Sequence, residues 1–191
     1  MRASFKRSTA ETEVEVSLDL EGSGCSVVET GVPLLDEMLE ILAQGSGFDV
    51  EVRARGDLPT GDHHTVEDVA IALGRALAQV VDPGIGSSTV PSGGALAFAA
   101  VRFGPLGYRD EVEFLAGSLG GMELGNYGHF MRTLAYNGGF ALHLRASGGD
   151  DWEKVEALTL SVGRALRRAV ADGRRGCETN WNSDEVERIE G

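Results

Sequence analysis

Lysine is nearly missing from this chain of 191 residues, where Lys6 and Lys154 stand against 15 arginines. Cysteine is as scarce. Cys25 and Cys177 lie far apart and outside any C-x-x-C spacing, which excludes a disulfide framework and a cysteine metal site. No apolar run approaches the roughly 18 residues that span a bilayer, and the opening "MRASFKRSTAETE" lacks the apolar core of a secretory signal. The expectation is a cytoplasmic protein with no membrane partner. The formal net charge is −13, so nucleic acid, which demands a basic footprint, is excluded as a partner. An anionic substrate would need basic groups gathered locally.

Hydrophobic content of 42% with 25% charged residues fits one sizeable domain or two small, tightly packed halves. Period-two alternation predicts strands at about 12–20, 26–30, 48–55, 95–103, 107–115 and 139–147. Helices are expected at about 32–44, 62–81, 125–136 and 151–171, and "DPGIGSSTVPSGG" reads as turns. The order of elements repeats. "HHTVEDVAIALGRAL" (63–77) laid on "WEKVEALTLSVGRAL" (152–166) gives six identities in fifteen, and "FDVEVRARG" (48–56) on "FALHLRASG" (140–148) gives four in nine. Matches on a strand and on the helix after it, in the same order, indicate an internal duplication. Residues 1–86 form the first half-repeat, 87–171 the second, and 172–191 a polar tail.

Chemistry concentrates in "GDHHTVED" (61–68). On a helix, His63 and Glu67 are one turn apart and His64 and Glu67 three residues apart, so all three project from one side. The repeat supplies a second set. The offset of the strand match lays Glu37 of "LLDEMLEIL" on His129 of "GHFMRTLAY", so the sets are Glu37, His63, His64, Glu67 and His129, Trp152, Glu153, Glu156. Mixed imidazole and carboxylate ligands suit Mn, Fe or Zn better than Mg or Ca. Trp152 has no lone pair for a metal, whereas Glu37 and Glu153 can ligate through oxygen.

From about residue 2 to 171 the chain resembles the imidazoleglycerol-phosphate dehydratase family. "RSTAET" (7–12) resembles its opening R-x-T-x-E-T, and "TGVPLLDEMLEIL" its T-G-x-x-F-x-D-H-M-L helix. "GDLPTGDHHTVEDVAIALG" is similar to its longest signature, G-D-L-x-x-D-x-H-H-T-V-E-D. "GHFMRTLAYNGGFALHL" and "DDWEKVEALTLSVGRALRRAV" resemble its E-H-F-F and H-H-x-x-E-A-x-F-K regions. The resemblance implies an α+β fold of two duplicated halves, each a four-stranded sheet with two helices on one face, as in the second domain of ribosomal protein S5. It implies trimers assembled into a 24-mer homo-oligomer, one or two Mn2+ per chain, and a small phosphorylated imidazole substrate that loses water. His63, His64, Glu67, His129 and Glu156 match family ligand positions, with Glu37 and Glu153 as substitute ligands. Glu11 and Glu67 are the catalytic carboxylates it implies, Glu11 lying at the substrate. His143 matches a supporting histidine.

Several positions depart from that pattern. Glu37 stands at a family histidine, Trp152 and Glu153 at its second His-His pair, and Gly45 at another histidine. Gly93 and Gly94 replace two carboxylates, while Ser87, Pro105 and Leu160 replace phosphate-binding cations. Charge-assisted contacts are the strong part of anion recognition, which leaves Arg102, Arg109 and Arg7 as the candidates for that task. Trp152 is expected to plug the space of a lost histidine and metal. Three functions follow: a divergent dehydratase, a paralogue working another substrate at one metal centre, or a silent assembly or regulatory subunit.

Overall fold

The alternation in "TEVEVSLD" builds β2 (Thr12–Asp19), with Val14, Val16 and Leu18 buried and Glu13, Glu15 and Ser17 exposed. It is flanked by β1 (Arg2–Ser8), followed by β3 (Ser26–Glu29), α1 (Pro33–Ser46), β4 (Asp49–Gly56) and α2 (His63–Ala78). The second half opens with β5 (Ile85–Ser92), β6 (Ala95–Phe103) and β7 (Gly107–Glu111). A short hairpin, β8 (Ser118–Leu119) and β9 (Met122–Glu123), leads to α3 (Gly125–Gly138), β10 (Phe140–Gly148) and α4 (Asp151–Gly176). The computed structural model describes residues 1–56 and 61–176. Most of the sequence tail, 177–191, lies outside them, as do residues 57–60 of the signature.

The two halves share one topology. The first sheet runs β1-β2-β4-β3 and the second β5-β6-β10-β7. In each, the first three strands are antiparallel and the last pairs parallel, β3 with β4 and β7 with β10. The duplicated α+β fold expected from the repeats is therefore present. The β8–β9 hairpin belongs to the second half alone, and its Gly120 carbonyl accepts the Leu34 N–H at the start of α1.

Several elements differ from expectation. β1 was not anticipated, and β5 occupies the stretch read as turns. Both are edge strands, and an edge tolerates Pro91 because its nitrogen needs no partner on the open side. Strand β5 begins at Ile85, and α4 continues to Gly176, into the segment read as tail.

Helices cover one face of each sheet and then pack on each other, α2 on α3 and α1 on α4. One apolar core, with Leu35, Leu39, Val66, Phe130, Leu134 and Leu158 in it, runs through both halves. The "GRAL" glycines set the crossings. A Cβ on Gly163 of α4 would lie 2.8 Å from the Leu42 carbonyl oxygen of α1. On Gly74 of α2 it would lie 2.9 Å from the Leu134 carbonyl oxygen of α3. The repeated glycine is where backbone meets backbone, which brings the first turns of paired helices side by side.

Candidate metal centre

His63 and Glu67 occupy the first two turns of α2, and His129 the second turn of α3. The α2–α3 seam stacks the His63 and His129 rings, with centroids 4.7 Å apart and planes at 29°. Glu67 stands between them, one carboxylate oxygen 3.6 Å from His129 Nε2 and the other 3.9 Å from His63 Nε2. One ligand atom from each of the three residues falls within 4.8 Å of the others. His129 Nε2 is buried without a hydrogen-bond partner, facing Glu67. Arg132 donates to Nδ1 of the same ring at 3.3 Å, so a metal at Nε2 would need Arg132 to release Nδ1 and the ring proton to move there. Burial holds the His129 pKa below the ordinary histidine value, helped by His63 and Arg132 and opposed by Glu67. A neutral imidazole is the form a metal requires.

His64 turns the other way. Its Nδ1 lies 3.8 Å from the Glu11 carboxylate. Glu11 sits in the turn between β1 and β2, and Asp68 of α2 holds that turn. Arg7 donates to Asp68 at 2.6 Å, and the Thr12 hydroxyl donates to its other oxygen. Thr9 Oγ1 accepts the N–H groups of Glu11 and Thr12. Asp62, at the head of α2, does not cap it with its side chain. Its oxygens accept the Glu123 N–H and the Asn126 side-chain amide, both at 3.1 Å. Asp68 and Asn126 escaped the reading of the sequence. Asp68 ends the signature, and its burial is visible only in the fold, whereas Asn126 gives no periodic signal.

The duplicated position is built differently. By the repeat offsets, Trp152, Glu156 and Glu37 stand where His63, Glu67 and His129 stand in the first set. Glu156 accepts the Ser92 hydroxyl. Glu153 accepts the Asp150 N–H at 3.0 Å while Asp150 accepts the Glu153 N–H at 2.9 Å, a reciprocal cap of α4. Glu153 also accepts the Gly94 N–H. Glu37 is exposed on α1, with no ion-pair partner among the described residues. Trp152 lies at the surface, 37% exposed, so it fills no space inside this chain.

The departures are paired in space. Gly93 has φ +51, and any side chain there would overlap the Glu153 carboxylate. A Cβ on Gly45 would lie 3.0 Å from Leu160 Cδ1. Arg102 and Arg109 project from the outer face of the second sheet, away from the helices. There Arg109 pairs with Glu111 at 3.0 Å and lies beside His143 across the β7–β10 pairing. The structure thus brings His63, Glu67 and His129 together with His64 and Glu11 nearby, and keeps the two arginines and His143 apart from them.

Fold and cluster together define a duplicated α+β protein with an imidazole–carboxylate centre on a helix seam. The imidazoleglycerol-phosphate dehydratase family model matches residues 30–166. The chain is 42% identical over 176 residues to the imidazoleglycerol-phosphate dehydratase of Desulforudis audaxviator, covering 88% of this chain and 90% of that one. It is also 42% identical over 177 residues to that of Methanothermobacter thermautotrophicus, covering 89% and 91%. The crystal structure of the dehydratase from Staphylococcus aureus shares the fold, with a TM-score of 0.76 at 23% identity over 89% of this chain and 98% of that one. The chain belongs to the imidazoleglycerol-phosphate dehydratase family.

Proposed function

We propose that this chain is a hydro-lyase of histidine biosynthesis, removing water from imidazole glycerol phosphate to give imidazole acetol phosphate. The observation that carries this reading is the cluster of His63, Glu67 and His129, with its unpartnered buried nitrogen. Those three residues would hold one divalent metal, with Mn2+ the favoured ion and Fe or Zn also suited to the ligand set. Bound there, the metal would draw electron density from the substrate imidazole and ease loss of the neighbouring hydroxyl. Loss of water breaks one C–H and one C–O bond. In this reading Glu11 takes the carbon proton, His64 beside it returns a proton to the departing oxygen, and Glu67 orients the two imidazoles. The enol that remains becomes the ketone by moving one proton.

His63, His64 and Glu67 are open to solvent in one chain, their side chains 52%, 49% and 39% exposed, which supports a site completed in a homo-oligomer. Ile85, Leu96 and Phe98 leave apolar surface on the outer face of the second sheet, which also favours assembly, as trimers built into a 24-mer. No helix among the described residues is long and apolar enough to cross a membrane, which agrees with a cytoplasmic biosynthetic role.

A second reading is favoured by the paired departures at Gly45–Leu160 and Gly93–Glu153. With those positions packed and no cation at Ser87, Pro105 or Leu160, the chain would serve a different, uncharged substrate at one metal centre, or only assembly. A turnover assay on Mn2+-loaded protein with imidazole glycerol phosphate decides between them. Turnover that falls by about a hundredfold or more in Glu67→Gln supports the dehydratase. Bound metal with no turnover selects the second reading.

A further inference from the structure

We infer that Asn126 is a positioning residue that fixes the ring tautomer of His63 and so directs its Nε2 lone pair into the pocket shared with Glu67 and His129. The geometry stands on its own, whereas its consequence for metal binding rests on the proposed centre. Asn126 sits in the first turn of α3, 8% exposed. Its amide nitrogen lies 3.1 Å from Asp62 Oδ1 and its amide oxygen 3.1 Å from His63 Nδ1. A carboxylate only accepts, so the Asn126 nitrogen must face Asp62 and the oxygen must face His63. An amide oxygen also only accepts, so His63 Nδ1 carries the proton. The lone pair is then on Nε2, the atom nearer Glu67. Asp62 is itself fixed by the Glu123 N–H at 3.1 Å, so the relay is anchored at its far end.

The chain supplies its own control. The strand offset lays Asn126 on Leu34, which is 1% exposed and apolar, and the helix offset lays Asp62 on Asp151. Asp151 gives its carboxylate to the Leu115 and Ala116 N–H groups and to Lys154. Where the imidazole has become Trp152, the middle of the relay is leucine and the acid serves a loop. A buried amide at a position where leucine suffices calls for a polar partner, and His63 is that partner.

The test is long-range proton–nitrogen correlation of the imidazoles in metal-free protein near pH 8, where the His63 signals are identified by their loss in His63→Gln. Wild type is expected to show His63 protonated at Nδ1. Asn126→Leu, which borrows the residue of the other half and keeps the branched skeleton, is expected to shift His63 toward the Nε2–H form. It should also weaken Mn2+ binding roughly 10- to 100-fold by paramagnetic resonance titration. Exchanging the pair, Asp62→Asn with Asn126→Asp, leaves an acceptor facing His63 and is expected to restore both readouts. An Nε2–H tautomer in wild type, or an unchanged tautomer in Asn126→Leu, overturns the inference. Protein with the Nδ1–H tautomer that takes up no Mn2+ supports the relay and overturns the proposed centre.

Discussion

His129 is neutral by environment, and that has a sign. Burial holds its folded-state pKa below the ordinary value of 6.5, so the unfolded chain binds more protons around and below that pH. Its contribution to stability is present above pH 6.5 and is lost as pH falls through the folded-state value. Urea midpoints of wild type and His129→Gln should therefore draw together between pH 8 and pH 5.5, with the wild type losing more. Equal losses would mean that His129 is not held neutral. Asp68 acts at the same scale. Asp68→Ala strands Arg7 and the buried Thr12 hydroxyl, and should cost about 2–3 kcal/mol in urea unfolding, because a mostly buried acceptor of charge-assisted hydrogen bonds is removed. Amide exchange at Glu11 should accelerate with it, since the turn that presents Glu11 is held through the same carboxylate.

At the scale of elements, the repeated glycine decides how close the helices come. Alanine is the better helix former by about 1 kcal/mol, yet Gly74→Ala and Gly163→Ala should both destabilise. Each added methyl meets the partner helix's backbone at 2.8–2.9 Å, and forcing such a seam apart costs typically 1–3 kcal/mol beyond the helical gain. Thermal unfolding should fall by roughly 2–4 °C per kcal/mol in a chain of this size. Gly74→Ala should in addition widen the α2–α3 seam and loosen Mn2+ binding, whereas Gly163→Ala, on the seam without imidazoles, should leave it unchanged. A rise in melting temperature for either would refute the close-approach role.

For the whole molecule, duplication makes two equivalent positions and the side chains make them unequal. One holds two imidazoles around a carboxylate, while the other holds Trp152, an α4 cap at Glu153, and Glu156 bonded to Ser92. Elemental analysis of protein purified without chelator and incubated with Mn2+ should give about one ion per chain, on the argument that N/O ligand sets of this kind need imidazole nitrogen. Glu153→Gln should leave that number unchanged while lowering stability by about 0.5–1 kcal/mol through the cap. Two ions per chain would show that Glu37 and Glu153 serve as ligands.

The sequence alone determined the duplicated architecture, because period-two strands such as those expected at about 12–20 and 139–147 and the matching helices after them are local patterns written twice. It also named His63, Glu67 and His129 among a longer set of candidate ligands, and the fold brings these three within 4.8 Å of one another. The edge strands β1 and β5 stayed hidden, since a strand paired on one side tolerates Ser, Gly and Pro that break the alternation. Only the tertiary structure decided which carboxylate does what. Asp62 and Asp151, Glu67 and Glu156 occupy equivalent places in the repeat, yet each takes the partner that the facing helix or loop presents. Whether a carboxylate orients an imidazole, pins a turn or caps a helix depends on the donors within about 3 Å, and those arrive from across the fold.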